Sequence, residues 1–230
     1  MIEILAVFHS LIFWSMLFIL LVLLSFYPTH SMLRFVSKIL LAVGLVKVKV
    51  KGLENVPKGE GMLLAANHPG FIDFLVHYKI FPFKFRFVIA YTFFKVPILR
   101  RLVTKMKYIP VGEEKRKKIV MTETAAKIIF ALKKNEPLFV FPEGQRKKEP
   151  SEVMARFRPW AARIAQATCV PVVPIAVKGS EKILPKLRFL MYPGTVKVLI
   201  GQPFYLDKKL SPQKATMKLQ QEIMRLYGEL

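Results

Sequence analysis

Cysteine is almost absent from this chain of 230 residues: Cys169 is the only one. That excludes an intrachain disulfide and any cysteine-built metal cluster. Its place beside a Val/Pro-rich strand predicts a buried structural thiol. Acidic residues are scarce too, 15 Asp and Glu against 37 Lys and Arg, for a formal charge of +22. A surplus of that size points to an anionic partner: nucleic acid, an acidic membrane or acidic substrates. Internal repeats and low-complexity tails are missing, so the length reads as one sizeable domain. Only four histidines are present. His9 has no polar neighbourhood and His30 falls in a Pro-Thr-His turn, so neither reads as a ligand.

Apolar residues, by contrast, make up 53% of the chain. Residues 4–27 carry no charge, and a bilayer span needs roughly 20 such residues. A signal peptide fits poorly, because Met1-Ile-Glu lacks a basic start and the apolar stretch exceeds the usual length. Residues 32–46 place Arg34 and Lys38 among Leu33, Phe35, Val36, Ile39, Leu40 and Val43, the pattern of a helix lying at an interface. Together the two segments read as a hairpin dipping into one leaflet, or as one span plus a surface helix. Residues 1–46 are thus expected to anchor the chain in the membrane, and residues 47–230 to form the working domain. Basic residues after the apolar stretch place that domain on the cytoplasmic face of the cell membrane.

Strands are expected at 47–51, 62–66, 85–90, 107–111, 137–141, 170–177 and 196–200. Helices are expected at 115–134, where Ile119, Ala126 and Phe130 follow helical period, at 159–168, and from the Ser211-Pro212 cap to about 227. This alternation gives an α/β fold: a layered domain with a mixed, largely parallel sheet flanked by helices, preceded by the N-terminal membrane-associated helical hairpin.

Two short runs carry the chemistry. Asn67-His68-Pro69-Gly70-Phe71-Ile72-Asp73 follows the strand at 62–66. It supplies a base and a carboxylate able to orient it, the minimum for activating a hydroxyl. On one continuous helix, residues five apart diverge by about 140°, so His68 must precede the helix. Asn67 and His68 then fall in the cap region, Pro69 in the first turn, and Asp73 one turn in. His77 reads as a packed or exposed helix residue rather than a second base. The other run, Phe141-Pro142-Glu143-Gly144-Gln145-Arg146, ends a strand, where α/β folds place ligands. Gly144 lets the backbone approach a ligand, and Arg146 offers a planar fork for a phosphate. Glu143 would be costly to bury alone, so it should pair with a base or bond a substrate hydroxyl. Taken alone, the run also fits a surface turn with a charged tail, Lys147-Lys148-Glu149.

Together, in this order and about 70 residues apart, the two runs resemble the PlsC-like 1-acylglycerol-3-phosphate acyltransferase family. The lead-in at 50–57 and the segment Val170-Pro-Val-Val-Pro-Ile-Ala-Val177 are similar to it as well. The likeness covers roughly residues 45–205. It implies transfer of a fatty acyl group from acyl-CoA or acyl carrier protein to lysophosphatidic acid, forming phosphatidic acid. His68 would be the catalytic base and Asp73 its orienting carboxylate. Glu143, Gly144, Gln145 and Arg146, with Asn67, would bind the acceptor. No metal and no cofactor beyond the acyl donor is implied. Membrane phospholipids are the expected surroundings, and nucleic acid is not an expected partner.

The chain departs from the family pattern near the acceptor. Tyr91 and Phe93 stand where a Lys-x-Glu stretch is usual, Gly112-Glu113 replaces the charged end of the second motif, and Gln145 replaces Thr. Lys105, Lys107 or Arg158 is the candidate for the missing positive charge. Another acceptor, a lysophospholipid, aminolipid or glycolipid, stays open for that reason. Residues 84–118 hold eleven Lys or Arg against two Glu, interleaved with Phe, which suits an anionic bilayer interface, acyl carrier protein or the phosphates of CoA. Phe85 and Phe87, alternating with Arg86, are expected in the core.

Overall fold

The computed structural model describes residues 2–112, 119–146, 153–185 and 189–230. Glu113, the basic run 115–118 and the tail 147–149 lie outside the described residues.

Seven strands form one sheet in the order β1-β7-β6-β2-β5-β3-β4. They are β1 (Val46–Lys51), β2 (Leu63–Ala66), β3 (Arg86–Ala90), β4 (Ile109–Val111), β5 (Leu138–Val140), β6 (Val172–Lys178) and β7 (Gly194–Ile200). β2 to β6 run parallel; β7 runs antiparallel to β6, and β1 parallels β7. The sheet is therefore mixed and largely parallel, as the alternation predicts. Central β2 and β5 read Leu-Leu-Ala-Ala and Leu-Phe-Val and are buried throughout, because both faces of a parallel sheet are covered. Edge strand β1 reads Val-Lys-Val-Lys-Val-Lys; lysines on an exposed edge discourage pairing with another chain.

The pleat sorts β2 onto two cores. Leu64 and Ala66 join the core under α1 (Ile2–Phe26), α2 (His30–Val43) and α3 (Asp73–Ile80). Leu63 and Ala65 join the one under α5 (Ile119–Lys133), α6 (Trp160–Thr168) and α8 (Pro212–Gly228), the last preceded by the short α7 (Ser180–Ile183). Phe85 and Phe87 are buried, as expected. The cap of α8 is as read: Ser211 Oγ accepts from Lys214 N–H at 3.3 Å.

Four readings need correction. α5 does not bury Ala126 and Phe130; its inward face is Thr124, Ile128, Ala131 and Leu132, and exposed Phe130 is capped by the Lys134 ammonium at 4.7 Å. Cys169 is exposed, not buried. It closes α6 in the left-handed conformation at φ 55°, in the turn before β6. Helix α3 begins at Asp73 rather than near Pro69, so Asn67, His68 and Pro69 lie in an extended loop and not in its cap. α4 (Pro97–Lys105) has no counterpart among the expected elements: its basic residues mask a helix seated by Leu102 and Val103, with Pro97 at its start.

α1 lies on the domain rather than leaving it. Ser10 Oγ accepts from Met191 N–H at 2.8 Å, and Trp14 Nε1 donates to the Phe189 carbonyl at 2.7 Å. Phe13, Leu17 and Leu24 are buried, and Lys105 Nζ donates to the Phe26 carbonyl. At 1.5 Å per residue, the stretch from Ser10 to Phe26 holds this seat for about 24 Å. The opposite side exposes Phe8, Leu11, Phe18, Ile19, Leu23 and Phe26. α2 buries Leu33, Val36, Ser37, Leu40 and Leu41 and exposes Met32 and Phe35.

Candidate active site

Strand register assembles the site. Leu63 pairs with Leu138 and Ala65 with Val140, an offset of 75 residues, and the same offset sets His68 opposite Glu143. The two loops therefore leave adjacent strand ends on the same rim of the sheet. His68 N–H donates to Glu143 Oε1 at 2.7 Å, and Ala155 N–H donates to Glu143 Oε2 at 2.7 Å. Both carboxylate oxygens thus satisfy backbone donors in the interior. This corrects the expectation that Glu143 pairs with a base or meets a substrate hydroxyl: its hydrogen bonds go to the loop that carries His68. Burial pushes its carboxyl above the usual range, and the two N–H donors oppose that rise.

Asn67 is equally inward. Its Nδ2 donates to the Val177 carbonyl at 2.9 Å and its Oδ1 accepts from Val177 N–H at 2.7 Å. It continues the β2–β6 ladder by one side-chain rung, fixing the loop just before His68.

His68 and Asp73 meet as their spacing predicts. Nδ1 lies 2.7 Å from Asp73 Oδ2, which also accepts Gly70 N–H at 3.0 Å. Gly70 N–H bends the loop back so that a carboxylate five residues on faces the imidazole. Gly70 also has no room for a side chain, since a Cβ there would fall 2.5 Å from Ser180 Oγ. The His68 ring stacks on Phe141, centroids 4.0 Å apart and 16° from parallel. Asp73 is wholly buried and His68 partly exposed. With Nδ1 bound to the carboxylate, Nε2 is the nitrogen left for substrate.

Gly144 takes φ 69° in the following turn, and Gly144 N–H donates to the Phe141 carbonyl. A Cβ there would lie 2.9 Å from Arg158 Nε, so the absent side chain is what lets Arg158 lie across the loop. Arg158 N–H also donates to the Pro142 carbonyl at 2.8 Å. Arg146 covers the Phe71 ring at 5.6 Å, and Gln145 is exposed. Two arginines thus adjoin the Glu143–Arg146 loop, Arg146 within it and Arg158 across it. Lys105 is not brought to it: its ammonium caps α1 and sits 5.6 Å from the Tyr27 ring. Arg158 is one of three spare cations in the sequence, and the Gly144 contact singles it out.

His77, on α3, is fully buried among Phe81, Phe139 and Phe141. Burial and then the charge of His68 lower its pKa from 6.5 to about 3. The unfolded chain binds this proton below about pH 6.5 and the folded protein does not, so the contribution is complete above that pH and lost as pH falls toward 3. The slope reaches about 1.4 kcal/mol per pH unit. Thermal melts from about pH 7 to about pH 5 should therefore show native protein losing more stability than His77→Phe; equal losses would contradict the assignment.

A protein-family model described as Acyltransferase matches residues 47–178. The 1-acyl-sn-glycerol-3-phosphate acyltransferase of Bacillus subtilis is 27% identical over 190 residues, covering 80% of this chain and 89% of that protein. The chloroplastic 1-acyl-sn-glycerol-3-phosphate acyltransferase BAT2 of Brassica napus is 27% identical over 181 residues, 76% of this chain. The chain spans about half the length (51%) of that plant relative. The crystal structure of the 1-acyl-sn-glycerophosphate (LPA) acyltransferase PlsC from Thermotoga maritima superposes with a TM-score of 0.83 at 23% identity, covering 100% of this chain and 97% of the other, and so shares its fold. The matched segment contains both loops of the site, and this chain belongs to the acyltransferase family.

Proposed function

We propose that this protein is a membrane-associated O-acyltransferase that moves a fatty acyl group from a thioester of CoA or acyl carrier protein to lysophosphatidic acid, yielding phosphatidic acid. The observation that carries the reading is the 2.7 Å His68–Asp73 bond beside a loop that holds Arg146 and is crossed by Arg158. Two relatives with 1-acyl-sn-glycerol-3-phosphate acyltransferase names support it.

A lipid hydroxyl is a weak nucleophile at neutral pH. His68 Nε2 takes its proton as the oxygen attacks the thioester carbonyl, and Asp73 steadies the imidazolium. The tetrahedral intermediate collapses, the C–S bond breaks, and the leaving thiolate recovers the proton from His68. The products are the ester and a free thiol. Arg146 and Arg158 hold the acceptor phosphate, and Glu143 and Asn67 hold the loops.

The apolar side of α1 faces lipid while its other side stays on the domain. The helix then lies along one leaflet with α2 beside it, and the basic residues that follow favour the cytoplasmic face.

A second reading keeps the reaction and changes the acceptor. Tyr91 and Phe93, in the turn after β3, replace charged residues of the family pattern, and Lys105 is committed to α1. Purified protein supplied with both donors and a panel of lysophosphatidic acid, other lysophospholipids, aminolipids and glycolipids separates the two. Phosphatidic acid forming fastest supports the first reading; transfer only to another acceptor replaces it. Arg146→Ala and Arg158→Ala should each raise KM for lysophosphatidic acid about tenfold or more, the worth of a charge-assisted hydrogen bond. With monoacylglycerol, which has no phosphate, both should act like native protein. Unchanged KM in both variants would remove the phosphate from this loop.

A further inference from the structure

Beneath the His68 loop lie buried polar atoms that no described residue satisfies. Asp73 Oδ2 accepts two hydrogen bonds, yet Asp73 Oδ1 is buried with no partner. One turn along α3, both ring nitrogens of His77 are also buried and unpartnered. Among Phe81, Phe139 and Phe141, a leucine or phenylalanine would fill the same space with no polar atom to desolvate. Buried polar atoms in folded proteins are nearly always satisfied, so each orphan calls for a reason.

Ser180 Oγ, facing Gly70, is a further orphan near the loop, but Asp73 and His77 are neighbours by helix geometry. Positions i and i+4 have Cβ atoms about 5–6 Å apart. A helical side chain also leans over the turn N-terminal to it, which carries the His77 imidazole toward Asp73. Phe141 lies against both imidazoles, with ring centroids 4.0 Å from His68 and 5.9 Å from His77, so base, carboxylate and second imidazole form one cluster. A water held in the interior needs two or more polar partners, and Asp73 Oδ1 with a His77 ring nitrogen supplies that number.

We propose that His77 is a positioning residue for the His68–Asp73 pair, its imidazole N–H bonding through one buried water to Asp73 Oδ1. The inference rests on His68 acting as the base proposed above. Three donors then fix the carboxylate: His68 Nδ1–H and Gly70 N–H on one oxygen, and the water on the other. The carboxylate cannot rotate away from the imidazole between turnovers. Because its pKa is lowered to about 3, His77 stays neutral and adds no positive charge beside His68.

His77→Phe keeps an aromatic ring in the pocket and removes the donor. Turnover should fall by about tenfold to a hundredfold, the usual range for a residue supporting a catalytic side chain, with KM for both substrates within about twofold of native. The melting temperature should fall by a few degrees near neutral pH, because the water on Asp73 Oδ1 loses one of its partners. His77→Gln, which restores a donor, should recover most of the turnover. In protein labelled with ¹⁵N-histidine, the downfield His68 Nδ1–H resonance should move in His77→Phe and return in His77→Gln. Native turnover and an unmoved resonance in His77→Phe would reduce His77 to filler. Should that variant not fold, His77→Leu gives the same comparison. Native protein alone also decides, because ¹⁵N shifts showing no hydrogen bond at either His77 nitrogen would overturn the proposal. Absence of any His68-dependent transfer by native protein would sink the proposed function instead, while the resonance still reports whether the three side chains are coupled.

Discussion

Replacing His68 with alanine should slow acyl transfer by about 10²- to 10⁴-fold, the range for loss of a positioned general base. His68 Nδ1 is bound to a fully buried carboxylate while the ring is partly exposed, so the proposed proton transfer runs through Nε2. Alanine also leaves the Asp73 carboxylate with Gly70 N–H as its remaining direct donor, which weakens the loop. His68→Gln separates these effects, since its amide still donates to Asp73 but does not accept a proton at neutral pH. Initial rates with saturating donor, read beside circular-dichroism melts, provide the check. A rate within tenfold of native in both variants would show that proton transfer runs through another group.

Glu143→Ala should act on stability first and on activity as a result. It strips the acceptor from two backbone donors, His68 N–H and Ala155 N–H. Each orphaned donor costs about 1–3 kcal/mol. At about 2–4 °C per kcal/mol for a chain of this size, the melting temperature should drop on the order of 10 °C. Glu143→Gln should fall in between, because its amide oxygen accepts one donor while its NH₂ group faces the other. Lost turnover should accompany the lost stability, as the His68 loop is no longer held to the end of β5. A variant with native melting temperature and a raised acceptor KM would restore Glu143 to the substrate.

The sequence shows most of the sheet because central strands are short apolar runs bounded by turn residues, as at β2 and β5. It shows the candidate His68–Asp73 pair because residues five apart diverge by about 140° on one helix and so imply a loop. Glu143 is opaque for a physical reason: a carboxylate beside Gly-Gln-Arg reads as a surface or substrate group, and only the β2–β5 register turns it toward His68 N–H. The start of α3 is displaced because Gly70 N–H goes to the Asp73 side chain and not into a helical turn. α4 is hidden because Arg100, Arg101 and Lys105 look like a solvated run until Leu102 and Val103 are seen packed. His77 carries no motif, and its meaning depends on unsatisfied atoms that composition cannot reveal.

Trp14 joins the apolar N-terminal helix α1 to the His68 loop. Its indole N–H is tied to the Phe189 carbonyl, and its ring lies 6.0 Å from Phe71, which sits between His68 and Asp73 and carries Arg146 on its face. The chain has only two tryptophans, and the other, Trp160, begins α6 on the opposite side of the sheet. A Trp160→Phe protein therefore emits from one fluorophore placed at the seam between α1 and the His68 loop. Its colour and quenching report in real time whether a bilayer, a nanodisc or a detergent micelle keeps α1 seated. Lipid packing thereby becomes an optical variable that can be read alongside turnover.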